Sequence, residues 1–283
     1  MTIGTQKKPL RVGIAGLGTV GLPVAKWLDY GAHGGDRGGA EGLELSAVAA
    51  GNQERAEERL QGFKAAVPVL SIEELVTVSD IIVESAPPEM FVKIAETSLK
   101  AGLLFVPLSV TSLLDRMDLV DLARETGARI IVPTGAILGL DAIRSAALGV
   151  VHSVTMLTRK PPAGLKKAPF VIEQGIDLDG LEQPLMLFRG NAAEAAKKFP
   201  ANVNVAVALG LAGVGPEKTD FEIWADPGVT RNTHTIKVDA DTANFEMTIA
   251  VQPTPDNPAT GMIVPLSVIE TLRGLVTPFK VGT

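Results

Sequence analysis

His234 ends a segment more polar than folding requires, Ala225-Asp-Pro-Gly-Val-Thr-Arg-Asn-Thr-His234. An imidazole of ordinary pKa exchanges a proton near neutral pH, which suits it to act as acid or base beside a carbon that gives up or accepts a hydride. The chain has 3 histidines. Of the other two, His33 falls in a glycine-rich stretch and His152 opens an ordinary strand. No two of them lie within four residues of each other, so a helical two-histidine metal site is excluded, and no metal is expected. Two more segments are more polar than folding requires, Pro133-Thr-Gly-Ala-Ile137 and Phe199-Pro-Ala-Asn-Val-Asn204. One reading of Asn202 is a helix cap, with its side-chain oxygen accepting from a first-turn amide. Asn204 falls inside that first turn, where a cap has no use.

The second chemistry the residues suggest is phosphate binding. Gly16-Leu-Gly18-Thr-Val-Gly21 fits G-x-G-x-x-G between an apolar run and a helix. Gly16 permits a tight turn, Gly18 lets backbone approach a pyrophosphate, and Gly21 lets helix and strand pack closely. The helix N-terminus adds amide donors and positive dipole. An acid that would hold the ribose 2′-hydroxyl belongs at the end of the second strand, where the sequence reads Ala49-Ala50-Gly51-Asn52. With no carboxylate at Ala50, a 2′-phosphate meets no repulsion, and Asn52 and Arg55 are placed to hydrogen-bond it; alternatively Arg55 is a solvated helix charge. The expected cofactor is therefore NAD or NADP.

These groups need a scaffold. The 283 residues suggest two domains at about 150 residues each. A hydrophobic content of 46% and charged content of 20% suit a globular chain. The net charge of −6 and the absence of a basic block argue against a nucleic-acid partner. No apolar run is long enough to span a bilayer, so no membrane is expected. Cysteine is absent, which excludes thiol chemistry and fits a reducing, cytoplasmic compartment. Lys7 and Lys8 precede an apolar run, but its spaced glycines and Lys26 argue against a secretory signal.

Strands are expected at 10–16, 43–50, 67–70, 80–85, 103–108 and 128–133. Helices are expected at 19–30, 53–62, 72–76, 88–101 and 114–126, with Ser71 and Glu74 forming a capping box. The glycine-rich 31–42 reads as a surface loop. This alternation is α/β, a Rossmann-type doubly wound parallel sheet over residues 1–134, completed by a C-terminal helix within about 262–283. Residues 135–261 read as a second, α+β domain on a mostly antiparallel sheet. Its strands are expected at 150–158, 169–172, 221–225, 233–240 and 244–251, and its helices at 139–147, 190–199 and 203–213.

The chain resembles the L-aspartate dehydrogenases over nearly its whole length. The resemblance is carried by PTGAILGLDA (133–142), TRKPP (158–162), FPANVNVAVALGLAG (199–213), ADPGVTRNTHTI (225–236) and NPATG (257–261). It implies an NAD(P)-dependent oxidoreductase that converts L-aspartate to iminosuccinate, which hydrolyses to oxaloacetate and ammonia, or runs in reverse. It implies that His234 is the acid/base and that Ala136 and Asn204 contact the nicotinamide. Arg159, Lys160, Arg231 and Thr233 are the candidates for holding the dicarboxylic amino acid, although TRKPP also reads as a solvated turn. The expected assembly is a homodimer. Three features depart from the family: the glycine insert, Ala50 in place of a frequent acid, and Ile137-Leu138-Gly139 where a second glycine is usual. Two other functions fit the same architecture, a reductase of another imine or keto acid and a non-catalytic nucleotide sensor.

Overall fold

The computed structural model describes residues 8–31 and 41–282, so His33 and most of the expected glycine-rich loop lie outside the described residues. The chain divides into two compact units. The first holds the residues up to Leu108, Arg116–Pro133 and Val268–Val281, and the second holds Ser109–Asp115 and Thr134–Ser267 with Gly282. Among the described residues no helix is long and apolar enough to cross a membrane.

In the first unit, β1 (Leu10–Ala15), β2 (Leu43–Ala49), β3 (Ile81–Glu84), β4 (Leu104–Pro107) and β5 (Arg129–Ile130) form a parallel sheet in the order β2-β1-β3-β4-β5. β3 is buried along its whole length, as expected of a central strand covered on both faces. The strand expected at 67–70 is reduced to one parallel bridge, Val48 to Val69. Pro68 has no N–H to donate, so the ladder beside β2 cannot extend. With that bridge counted, the sheet is doubly wound and its order reverses between β1 and β3, the switch point at which such sheets bind ligands. The connecting helices are α1 (Gly21–Tyr30), α2 (Gln53–Leu60), α3 (Ile72–Leu75) and α4 (Phe91–Lys100). The Ser71–Glu74 capping box at α3 forms as expected. The helix expected at 114–126 is two helices, α5 (Val110–Leu114) in the second unit and α6 (Asp118–Thr126) in the first.

The second unit contains α7 (Leu140–Ala146), β6 (Val151–Lys160), α8 (Pro169–Glu173), β7 (Leu185–Asn191), α9 (Ala192–Lys198), α10 (Asn204–Ala212), β8 (Thr219–Ala225), β9 (Asn232–Ala240) and β10 (Asn244–Val251). Its sheet runs β10-β9-β6-β8-β7, with only the β6–β8 pair parallel. Residues 169–172 are helical rather than extended. Pro169 occupies the first helical position, where its fixed φ and missing N–H favour a helix start. β7 is an edge strand that sequence patterning does not reveal. Its register breaks between Met186 and Phe188, and Leu185 and Met186 are exposed, so no alternation shows. The last helix, α11 (Ile263–Val276), begins in the second unit; from Val268 on it belongs to the first, where Val268 and Leu272 enter the core.

Alternation gives the second sheet one buried face. It carries Val154, Met156, Thr158 and Lys160 from β6, Phe221, Ile223 and Ala225 from β8, and Asn232, His234, Ile236 and Val238 from β9. In the ladder, Thr158 pairs with His234 on one side and Ile223 on the other. The face is apolar at one end and polar at the other.

Candidate functional site

At the polar end of this face His234 is 2% exposed, and its Nδ1 lies 3.0 Å from Thr158 Oγ1. The pairing leaves Nε2 as the ring atom available to a ligand. Burial, with the positive charge of Lys160 as a second cause, pushes the His234 imidazole down to about 3. The near-neutral pKa expected from sequence therefore does not hold for the free protein: an imidazolium here loses its hydration and faces another cation.

Lys160 is 3% exposed, and its Nζ donates to Asn202 Oδ1 at 3.2 Å. Among the described residues no carboxylate pairs with it. Burial lowers its ammonium to about 8. Asn202 thus commits its oxygen to Lys160 and not to a helix. α10 begins at Asn204 with no side-chain cap, which corrects the capping role expected for Asn202. Asn204 Oδ1 accepts from Thr111 N at 2.9 Å and Thr111 Oγ1 at 3.0 Å, fixing the start of α5.

Of the other candidates for the dicarboxylate, Arg159 and Thr233 alternate with Lys160 and His234 and so lie on the opposite face. Arg159 pairs with the buried carboxylate of Asp226 at 2.8 Å and lies 5.0 Å over the Trp224 ring. Thr233 Oγ1 donates to the Arg231 carbonyl, and Arg231 is exposed. Ala136 is buried in the turn that Gly135 opens, and the Gly135 amide donates to Ser267 Oγ at 3.1 Å.

Sequence reasoning missed Thr158 and Asn232. Asn232 is 2% exposed; its Nδ2 donates to the Pro258 carbonyl at 3.2 Å, and its Oδ1 has no hydrogen-bond partner. A buried acceptor left unpaired costs about 1–3 kcal/mol. The available signal was spacing: residues two apart on a strand share a face, which puts Asn232 beside His234.

In the first unit the glycine motif fits a dinucleotide. Gly16 has φ +99°, and a Cβ there would stand 2.5 Å from the Ser85 backbone at the end of β3. A Cβ on Gly21 would stand 1.9 Å from the Gly16 carbonyl oxygen, whereas one on Gly18 would meet nothing within 4 Å. α1 starts with no side-chain cap and no acid in its first turn, leaving its amide end to an anion. Ser85 Oγ donates to the Gly16 carbonyl at 2.8 Å, and the Arg59 guanidinium donates to the Leu17 carbonyl, which ties the loop to α2. Asn52 caps α2 by accepting from Arg55 N at 2.8 Å, so its Nδ2 is the donor it can offer a ribose; Arg55 is exposed.

This geometry separates Gly18 from Gly21 experimentally. Gly18→Val is expected to fold and to weaken dinucleotide binding by about 10–10²-fold, because its branched side chain fills the open approach to the loop. Gly21→Val is expected to lower Tm as well, since its Cβ would collide with the Gly16 carbonyl. Cofactor titration of each variant alongside thermal melts distinguishes them. Unchanged affinity in folded Gly18→Val removes the phosphate-cradle assignment.

Comparison with known proteins places both units. Residues 141–275 match the family described as aspartate dehydrogenase, C-terminal, and residues 16–133 match homoserine dehydrogenase, NAD binding domain. The chain is 52% identical to an L-aspartate dehydrogenase of Bradyrhizobium diazoefficiens over 283 residues, covering 100% of this chain and 98% of that one. It is 44% identical to L-aspartate dehydrogenase 3 of Bordetella bronchiseptica, covering 99% of this chain and 100% of the relative. The crystal structure of aspartate dehydrogenase from Thermotoga maritima superposes with TM-score 0.70 at 25% identity, covering 96% of this chain and 99% of that one.

Proposed function

The chain belongs to the L-aspartate dehydrogenase family and is a nicotinamide-dependent oxidoreductase; on that premise we propose that it oxidatively deaminates L-aspartate with His234 as acid/base, using NAD or NADP. The observation that carries this reading is the buried pair on one sheet face: an imidazole whose Nδ1 is engaged by Thr158, beside an ammonium that meets no carboxylate among the described residues.

Lys160 Nζ pairs with one carboxylate of the entering substrate, since a buried cation without a counter-ion gains most from an anionic ligand. That pairing offsets the charge that depresses His234, and the substrate's own negative charge raises the imidazole further. Binding thereby primes the base. For Nε2 to accept a proton, Nδ1 must carry one, and the Thr158 hydroxyl then accepts from it. Nε2 takes a proton from the substrate ammonium and frees the nitrogen lone pair. Nicotinamide, when bound, supplies the acceptor for the hydride from the substrate α-carbon. Asn204, with its oxygen held by Thr111, has Nδ2 to offer a carboxamide, and Ala136 presents only a small side chain.

The test is reduced-nicotinamide absorbance with L-aspartate, D-aspartate, L-glutamate and malate, each with both cofactors. Turnover confined to L-aspartate supports the reading; turnover of malate alone overturns it. For the cofactor, Ala50 directly follows the last residue of β2, Ala49, which pairs with Ala15 at the end of β1. NADP is expected to serve at least comparably with NAD. Ala50→Asp is expected to lower the NADP/NAD ratio of kcat/KM by about tenfold or more through repulsion of the 2′-phosphate. A wild-type protein that strongly prefers NAD shows that another group sets the preference.

A further inference from the structure

We propose that Asn232 Oδ1 is the acceptor for the substrate nitrogen, taking an N–H of the amine during oxidation and of the ammonia that enters in the reverse direction. The inference rests on reading this face as the site of aspartate deamination.

Four observations converge on it. Asn232 is buried, and its Oδ1 is the only buried side-chain oxygen or nitrogen among the described residues with no hydrogen-bond partner. Its orientation is set, because Nδ2 donates to the Pro258 carbonyl and exchanging the two atoms would bring oxygen against oxygen. It shares the buried face with His234, two residues away on β9. The β6–β9 ladder pairs Thr158 with His234 and Arg159 with Thr233, so one step further brings Lys160 opposite Asn232.

The chemistry of the neighbours leaves one kind of ligand atom for this oxygen. Lys160 offers donors, which suit a carboxylate. The oxygen of Asn202 is taken by Lys160, and the Thr158 hydroxyl is taken by His234. A dicarboxylate without nitrogen would bring a further acceptor to an unpaired acceptor. A dicarboxylic amino acid brings N–H groups. In the oxidation, the substrate ammonium loses one proton to His234 Nε2, and a bound nicotinamide would supply the acceptor for the α-hydrogen with both its bonding electrons. The nitrogen lone pair closes the C=N bond, leaving an iminium with two N–H donors and a positive charge. A fixed amide oxygen directed at that nitrogen stabilises the charge as it develops, without reorganising.

The experiment follows reductive amination by initial rates, with ammonium varied at saturating oxaloacetate and reduced cofactor, and with succinate as a nitrogen-free competitor. Asn232→Ala is expected to raise the KM for ammonium about 10–100-fold, the effect of losing a hydrogen bond to a charged group. The KM for oxaloacetate and the inhibition constant of succinate are expected to stay within about twofold. Asn232→Asp keeps an oxygen at the position while losing the donor to Pro258 and setting a carboxylate opposite Lys160; it is expected to raise the KM for oxaloacetate and to hold the ammonium KM within about threefold of wild type. If Asn232 only clasps the Pro258 segment, both variants lower Tm and raise every constant in parallel, and that outcome overturns the proposal. If Asn232→Ala does not fold, Asn232→Leu, which keeps the side-chain volume and removes the acceptor, takes its place with the same expected rise in the ammonium KM. A wild-type protein that does not interconvert aspartate and oxaloacetate overturns the functional reading and this proposal together; a wild-type-like ammonium KM in Asn232→Ala overturns this proposal alone.

Discussion

Replacing His234 by alanine is expected to lower kcat for aspartate oxidation by about 10²–10⁴-fold, the usual contribution of a positioned acid or base. Cofactor affinity should barely change. The pH profiles should separate the free protein from the complex. In the free protein burial holds His234 neutral down to about 3, so kcat/KM should show no histidine ionisation around neutrality. The kcat profile reports the complex, where substrate charge restores basicity, and should rise with pH through an ionisation that the variant lacks. Stability provides an independent check. The folded imidazole titrates near 3 and the unfolded one near about 6.5. As pH falls from the higher value toward the lower, the unfolded chain takes up a proton that the folded chain refuses, and stability is lost across that window. His234→Ala should lack that slope. A folded variant that retains most of its kcat removes the acid/base assignment.

The parts of this fold that were legible in the sequence are those in which one residue type answers one local need. The glycines at 16, 18 and 21 are read from a pattern of six residues; within it Gly21 packs on the Gly16 carbonyl, while Gly16 also answers the Ser85 backbone far along the chain. His234 stands out because it is the only histidine placed among polar residues that suggest a site. Lys160 and Arg159 are adjacent cations that sequence could not rank. The expected strand ended at Thr158, whereas β6 continues to Lys160, and only that two-residue extension turns one cation inward and the other toward Asp226 and Trp224. Asn202 looked like a cap because capping is a local property. Its oxygen is instead claimed by Lys160, 42 residues away in sequence, and no local pattern encodes that competition. The depressed pKa of His234 was hidden for the same reason, because it depends on burial by several strands at once.

Lys160→Met tests the largest expected effect on substrate binding. Methionine keeps the length and apolar stem of lysine and removes the charge. Truncating one side of a buried charge pair costs about 2–5 kcal/mol, so the KM for aspartate should rise by about 30- to 5,000-fold, with cofactor affinity unchanged. In the wild type, Lys160 is charged below about 8, so kcat/KM for aspartate should fall as pH rises through that value, and the variant should not show this descent. The stability effect should have the opposite sign. The folded ammonium is depressed from the ordinary value of 10.5 to about 8; the unfolded chain therefore binds the extra proton between these values, and wild-type stability rises with pH across that window. Below it the buried, unpaired charge destabilises the fold, so Lys160→Met should melt at an equal or higher temperature than wild type near neutral pH. Losing the cation should also let the His234 imidazole titrate at higher pH, since Lys160 is one of the two causes holding it down. A lysine that only braces the loop at Asn202 predicts the reverse, a lower Tm with the aspartate KM intact, and that pair of results would remove Lys160 from the substrate site.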